Sequence, residues 1–311
     1  MTHPVNQLLA KFRHCDVPAI GVHHDVSFSE YLTWPALNAS LLKKAAKSAA
    51  HFLASLEEPD EPSDAMRFGT FAHAGRLEPL AITERFAVMP DLTQGITRAD
   101  GSPCEKPKAT REYKQRVEEW MADHGDKEVV ENDWFQALLA MNRRLLEHDR
   151  AVAWLNARGP VEVAFVWDDP LTGIRCKARA DKLDTAAHRC TDYKTTRDVS
   201  DFARQIVLLG YDVQGAFYTD GLNVLTREPW RFGIVAQDNS SPYLVRAAEL
   251  SETNLLCGYR LMREALGKII AAVTTGDWRG YDDPDRWERP AWATPEIELE
   301  IAGELVNVGE E

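Results

Sequence analysis

Apolar residues recur at helical spacing in several stretches of the chain. Leu41, Leu42, Ala45, Ala49, Phe52 and Leu53 line one side of a helix predicted to run from Asn38, its N-cap, to about Leu56. Lys43, Lys44 and Lys47 occupy the other side, which reads as a solvated face, with contact to a DNA backbone as the alternative. After a Pro-rich acidic loop at 57–64, a second helix is predicted over about 65–77, with Gly69, His73 and Leu77 on one face at i, i+4 and i+8. Gly69 is expected to admit a close neighbour, and His73 to point inward as a hydrogen-bonded core residue or as a ligand. Further helices are predicted over 111–121, over 132–155 as one element, from Ser200 as cap to about Leu209, from Tyr211 onward, and over 251–273. In the Tyr211 helix a stripe of Tyr211, Gln214, Tyr218 and Leu222 reads as core packing, in which Gln214 needs hydrogen-bond partners.

A period of two marks the strands. Val161, Val163, Phe165 and Trp167 alternate with Glu162, Ala164 and Val166, and D-D-P-L-T-G at 168–173 is a turn. Residues 174–196 read as two more strands around a turn at 184–188, which makes a three-strand meander, and 230–237 with 243–249 reads as a hairpin. The pattern is α/β, a central mixed sheet flanked by helices. A single domain over 1–311 is expected: an N-terminal helical lead (1–60), a core (61–275) with an insertion or mobile flap at 94–130, and a Trp/Pro-rich tail (276–311) lying over the body. Residues 1–28 read as irregular or partly helical.

Chemistry concentrates in the meander. Side chains alternate across a strand, so Asp192 and Lys194 of D-Y-K project from one face. Antiparallel pairing through the 184–188 turn is expected to bring Asp181 beside Asp192. Two acids and a lysine at a sheet edge suit metal-dependent phosphodiester hydrolysis: carboxylates hold a hard cation and lysine orients the nucleophile or offsets negative charge. A solvated Asp–Lys ion pair is the plainer alternative. Glu162, on the neighbouring strand, either reaches the same site or pairs with Arg175 or Lys177.

Composition narrows the classes. Five scattered cysteines without a C-x-x-C pair, and no secretory apolar segment at the start, point to reduced thiols in a cytoplasm and away from structural zinc or an iron–sulfur cluster. No apolar run approaches the roughly 20 residues of a membrane span. The net charge of −13 argues against a generally basic nucleic-acid coat. Locally, however, Arg175, Lys177, Arg179, Lys182, Arg189, Lys194 and Arg197 outnumber Asp181, Asp184 and Asp192, a basic strip suited to a polyanion. P-loop, dinucleotide, G-x-S-x-G and H-E-x-x-H motifs are all missing from the sequence.

Taken in order, G-T-F-A-H at 69–73, Glu162, A-D-K-L-D at 180–184, D-Y-K-T-T at 192–196 and Gln214 with Tyr218 in Q-x-x-x-Y resemble the PD-(D/E)XK nuclease superfamily. More narrowly, with E-Y-L-x-x-P-A-L-N-A-S-L-L-K, G-T-F-A-H-A-G-R-L-E-P, Y-D-V-Q-G-A-F-Y-T-D-G and the late W-R-G-Y and P-A-W, the chain resembles RecE-type exonuclease VIII of phages and prophages. The resemblance implies a restriction-endonuclease-like core with extra N-terminal helices. It also implies Mg²⁺ or Mn²⁺ held by His73, Asp181, Asp192 and the Tyr193 carbonyl, with Lys194 as the catalytic lysine and Gln214 and Tyr218 as supporting residues. Digestion of linear double-stranded DNA from 5′ ends, a ring-shaped homo-oligomer and a single-strand annealing partner are further implications. Two features depart from the pattern: Asp192 stands where the superfamily more often has Glu, and 94–130 is poorly matched. Competing readings are an inactive nuclease fold serving as a DNA-binding or assembly module, a related endonuclease, and a non-nuclease ion-pair network. A Cas4-like enzyme is disfavoured by the missing cysteine cluster.

Overall fold

The structure, a computed structural model, describes residues 3–13, 15–58, 61–80, 82–98, 100–283, 286–287, 297–301 and 304–308. Its helices are α1 (Pro4–Lys11), α2 (Phe28–Thr33), α3 (Ala39–Lys47), α4 (Ala49–Glu57), α5 (Asp64–Leu77), α6 (Ile82–Arg85), α7 (Arg111–His124), α8 (Asn132–Leu145), α9 (Asp149–Leu155), α10 (Phe202–Leu208), α11 (Tyr211–Thr226) and α12 (Glu252–Thr275). The strands are β1 (Gly21–His23), β2 (Phe86–Met89), β3 (Glu128–Glu131), β4 (Val161–Asp168), β5 (Arg175–Asp184), β6 (Arg189–Thr196), β7 (Arg231–Asp238), β8 (Val245–Glu249), β9 (Ile297–Ile301) and β10 (Glu304–Val308). Two compact units result, residues 1–279 and 280–311. In the second, β9 and β10 form an antiparallel pair. Much of the predicted 276–311 tail, including P-A-W, lies outside the described residues.

The first unit is built on one six-stranded sheet in the order β1-β4-β5-β6-β7-β8. Its pairs are antiparallel except β6–β7, which run parallel because α10 and α11 carry the chain back between them. The expected mixed sheet flanked by helices is what forms. On one face Val163, Phe165, Trp167, Ala178, Ala180 and Phe232 pack against α1, α3, α4, α11 and α12. The opposite face carries Tyr193 and Val235 under α5, α8 and α9, and Ala164 and Val166 under Tyr31 and Trp34. At Gly258, where α12 meets α11, an added Cβ would lie 2.2 Å from the Asp212 carbonyl oxygen, so no side chain fits there.

Several predicted elements are divided or moved. The helix expected over 38–56 is two, because Ser48 is extended and ends α3 while its hydroxyl accepts from His51 N–H to cap α4. Asn38 does cap α3. The helix expected over 132–155 breaks after Leu145, and the His148 ring caps α9. Ser200 caps nothing: its N–H donates to Asp198 and the helix starts at Phe202. Gly69 is not the tight contact, since a Cβ there would sit an ordinary 3.5 Å from Thr195 Oγ1; Gly75, one and a half turns on, is pressed against Leu138. Residues 94–130 include α7 and most of β3, which pairs in parallel with β2 and places Val130 in the core under α5 and α8.

Candidate metal centre at a forked sheet

β5 and β6 pair from Asp184↔Arg189 through Lys182↔Thr191, and the register stops one step before Asp181 and Asp192 would face each other. Beyond that point the strands part. Asp181 fills the opening: its Oδ2 accepts the Tyr193 N–H at 2.7 Å, taking over a backbone donor that a strand partner would otherwise satisfy. In extended backbone the N–H and C=O of one residue point the same way, so the Tyr193 carbonyl also faces the gap. Across from Asp181, Glu162 of β4 is left-handed (φ 49°), an uncommon backbone for a non-glycine residue in a strand.

Three candidate ligands converge at the fork. His73 of α5 places Nδ1 at 3.5 Å from Asp181 Oδ2 and 4.0 Å from Glu162 Oε1, and one donor atom from each of His73, Glu162 and Asp181 lies within 4.8 Å of the others. Tyr193, its ring 5.2 Å from the imidazole and its hydroxyl donating to Gln237 Oε1, walls the histidine on the sheet side. Burial, with Asp192 and Glu162 alongside, pushes Asp181 up to about 7 against the pull of His73. Burial opposes a charged imidazole, but Asp181 and Glu162 outweigh it and hold His73 above its usual value.

Asp192 sits on the α11 side of the fork. Gln214 Nε2 donates to its Oδ1 at 2.9 Å, and Lys194 Nζ stands 2.7 Å from its Oδ2. That second contact is a short charge-assisted pair, and among the described residues Oδ2 has no other partner. Burial opposes the Lys194 charge, yet Asp192 and Asp181 raise it above the ordinary lysine range. Tyr218 stands edge-on to Phe165 and Phe232, and burial pushes its phenol well above its usual value.

A hard divalent cation fits this donor set. An imidazole nitrogen and two carboxylates converge in a partly dry pocket, and burial first, with Asp192 and Glu162 adding to it, lifts Asp181, so negative charge is held there at a cost that a cation would relieve.

The basic strip read from the sequence is largely spent internally. Glu162 pairs with Arg179, in place of the expected Arg175 or Lys177. Arg175 pairs with Asp168, and Lys177 Nζ donates to the Tyr31, Leu32 and Trp34 carbonyls at the end of α2. Lys182 donates to the Gly159 carbonyl and Arg189 binds Asp184. A cation the pattern placed on a solvated face is at the site instead: Lys43 of α3 reaches Gln214 Oε1 at 3.4 Å and lies 5.0 Å from the centre of the Tyr211 ring.

A family model described as "PDDEXK-like domain of unknown function (DUF3799)" matches residues 38–282. The chain belongs to this PDDEXK-like family. The matched span starts at the cap of α3 and takes in Lys43, His73, the forked strands and α11, so every residue of the candidate centre belongs to the PDDEXK-like domain. Among solved structures, a protein of Eubacterium rectale described as a candidate exonuclease superposes with TM-score 0.55 at 15% identity, over 82% of this chain and 88% of that one. That likeness concerns the fold. The SSO0001 structure matches at TM-score 0.26 and 15% identity, over 64% of this chain and 85% of that one. No curated protein matches the chain in sequence. Among the described residues no helix is long and apolar enough to cross a membrane.

Proposed function

We propose that this PDDEXK-like domain is a Mg²⁺- or Mn²⁺-dependent exonuclease of linear double-stranded DNA. The observation that carries the reading is the fork itself: His73, Glu162 and Asp181 on one side, and Asp192 paired with Lys194 on the other, where β5 and β6 part. His73, Asp181, Asp192 and the Tyr193 carbonyl would hold the cation, with Glu162 free to join them once Arg179 releases it. Bound there, such an ion would polarise the scissile phosphate and lower the pKa of water.

The chain's own residues supply the rest. Lys194, kept cationic by Asp192, orients the attacking water and offsets charge on the phosphate. Gln214 holds the Asp192 carboxylate in one orientation. Tyr218, too weak an acid to give up its proton, packs the floor behind them. The resemblance to RecE-type enzymes supports the finer parts of the proposal: 5′ to 3′ digestion in phage-type recombination, a ring-shaped homo-oligomer, a single-strand annealing partner and a cytoplasmic setting.

Linear duplex labelled at its 5′ or its 3′ ends tests direction. The expected result with Mg²⁺ is early release of the 5′ label as mononucleotide while the 3′ label stays in long strands. Early release of the 3′ label alone would reverse the polarity.

A further inference from the structure

The charges at the fork do not cancel evenly. Arg179 is taken by Glu162, His73 by Asp181 and Lys194 by Asp192. Lys43 is the fourth cation, half-buried; burial and Lys194 lower its pKa to about 8 against the pull of Asp192 and Asp212, neither of which forms an ion pair with it. Its recorded contacts are the Gln214 amide oxygen and the face of Tyr211. Lys194 lies over the same ring, 5.3 Å from its centre, so two ammonium groups share one aromatic ring. The lysine stem runs beside Gly210 (φ 62°), where an added Cβ would lie 3.4 Å from Lys43 Cγ and Cδ. Lys43 and Lys194 repel each other, and Asp192 offsets that for both, so two ammonium groups stand beside the site where a phosphate would bring further negative charge.

We infer that Lys43 and Lys194 form a paired phosphate grip, Lys43 holding a phosphate of the DNA strand while Lys194 serves the phosphodiester under attack. The inference rests on the nuclease reading and names how its substrate is held. Lys43 has a second task as a positioning residue. An ammonium only donates, so it must face Gln214 Oε1, and this turns Nε2 toward Asp192.

The test is binding of a fluorescein-labelled 20-base-pair DNA duplex, followed by anisotropy in EDTA across a range of salt, with wild type, Lys43→Met, Lys43→Arg and Lys47→Met. Lys47, on the same helix, is exposed and serves as the control. Lys43→Met is expected to bind roughly tenfold more weakly, with the slope of log affinity against log salt reduced by about 1. Lys43→Arg, which keeps the charge, should bind more tightly than Lys43→Met, and an unchanged thermal midpoint of Lys43→Met answers for folding. With Mg²⁺, Lys43→Met should raise KM more than it lowers kcat. Wild-type affinity and slope in Lys43→Met, or an equal loss in Lys47→Met, overturns the grip. Cleavage by wild type alongside unchanged Lys43→Met binding leaves the nuclease reading standing without it. A wild type that binds duplex but never cleaves it, with Lys43→Met still impaired, supports the grip and sinks the nuclease reading.

Discussion

Replacing Lys194 with alanine is expected to slow DNA hydrolysis by about 10²–10³-fold, the usual cost of removing a fixed charge from the reacting phosphate. The loss should appear in kcat at saturating DNA, because Lys43 and the remaining cations still hold the strand. Stability responds as well. Asp192 is almost wholly buried, and deleting its cation leaves an uncompensated charge, at a cost of about 3 kcal/mol in EDTA. The wild-type Lys194 contribution has a defined pH range. Its folded pKa lies above the ordinary value, so the stabilisation is complete below about pH 10 and is lost as pH rises through the folded value. Denaturant titration of wild type and Lys194→Ala in EDTA, beside single-turnover assays in Mg²⁺, separates the two effects. A variant with wild-type kcat would remove Lys194 from the chemistry.

The second large effect concerns pH. Asp181 titrates near 7 and His73 above its usual value, so each carries a proton over much of the mildly acidic range in the metal-free protein. A cation can be held only as those protons leave. Apparent Mg²⁺ affinity is therefore expected to rise about tenfold per pH unit for each proton released as pH climbs from about 6 to 7.5. Stability of the metal-free protein carries the opposite sign for Asp181. Its folded pKa exceeds the unfolded carboxylate value, so burial of the carboxylate destabilises above pH 7, and the penalty fades as pH falls toward about 4. Asp181→Asn keeps the shape without the titration. It should hold Mg²⁺ at least about tenfold more weakly and show a flatter pH dependence, read by calorimetry. An unchanged affinity would place the cation elsewhere.

The strands, long helices and ordered acidic residues of this fold were legible because their periods are local. The α12 boundaries follow Ser251 at the start and Gly276 at the end, both ordinary capping signals. What escaped depends on tertiary contact. Ser48 splits α3 from α4 without proline or glycine, through a serine that serves as a cap as readily as it fits a helix. β1 is three residues long and exists through its pairing with β4. Lys43 lies on a face that looks solvated by helical period, but α11 packs beside it, and Gln214 and Tyr211 claim its ammonium. The basic strip at 174–197 illustrates the reverse error. Its residues are charged in sequence, yet Lys177, Arg179 and Arg189 are consumed by carbonyls at the end of α2 and by carboxylates on β4 and β5. Alternation placed Glu162 beside the site, and its partner there, Arg179 of the neighbouring strand, follows from the β4–β5 pairing.

As a metal-dependent nuclease site acting on DNA ends, the forked sheet should degrade only DNA that has ends. Linear and covalently closed circular duplex, incubated with the full chain in Mg²⁺ or in EDTA, test this directly. The account predicts loss of linear DNA in Mg²⁺ alone, with closed circles intact; cleavage in EDTA, or cutting of closed circles, would contradict it.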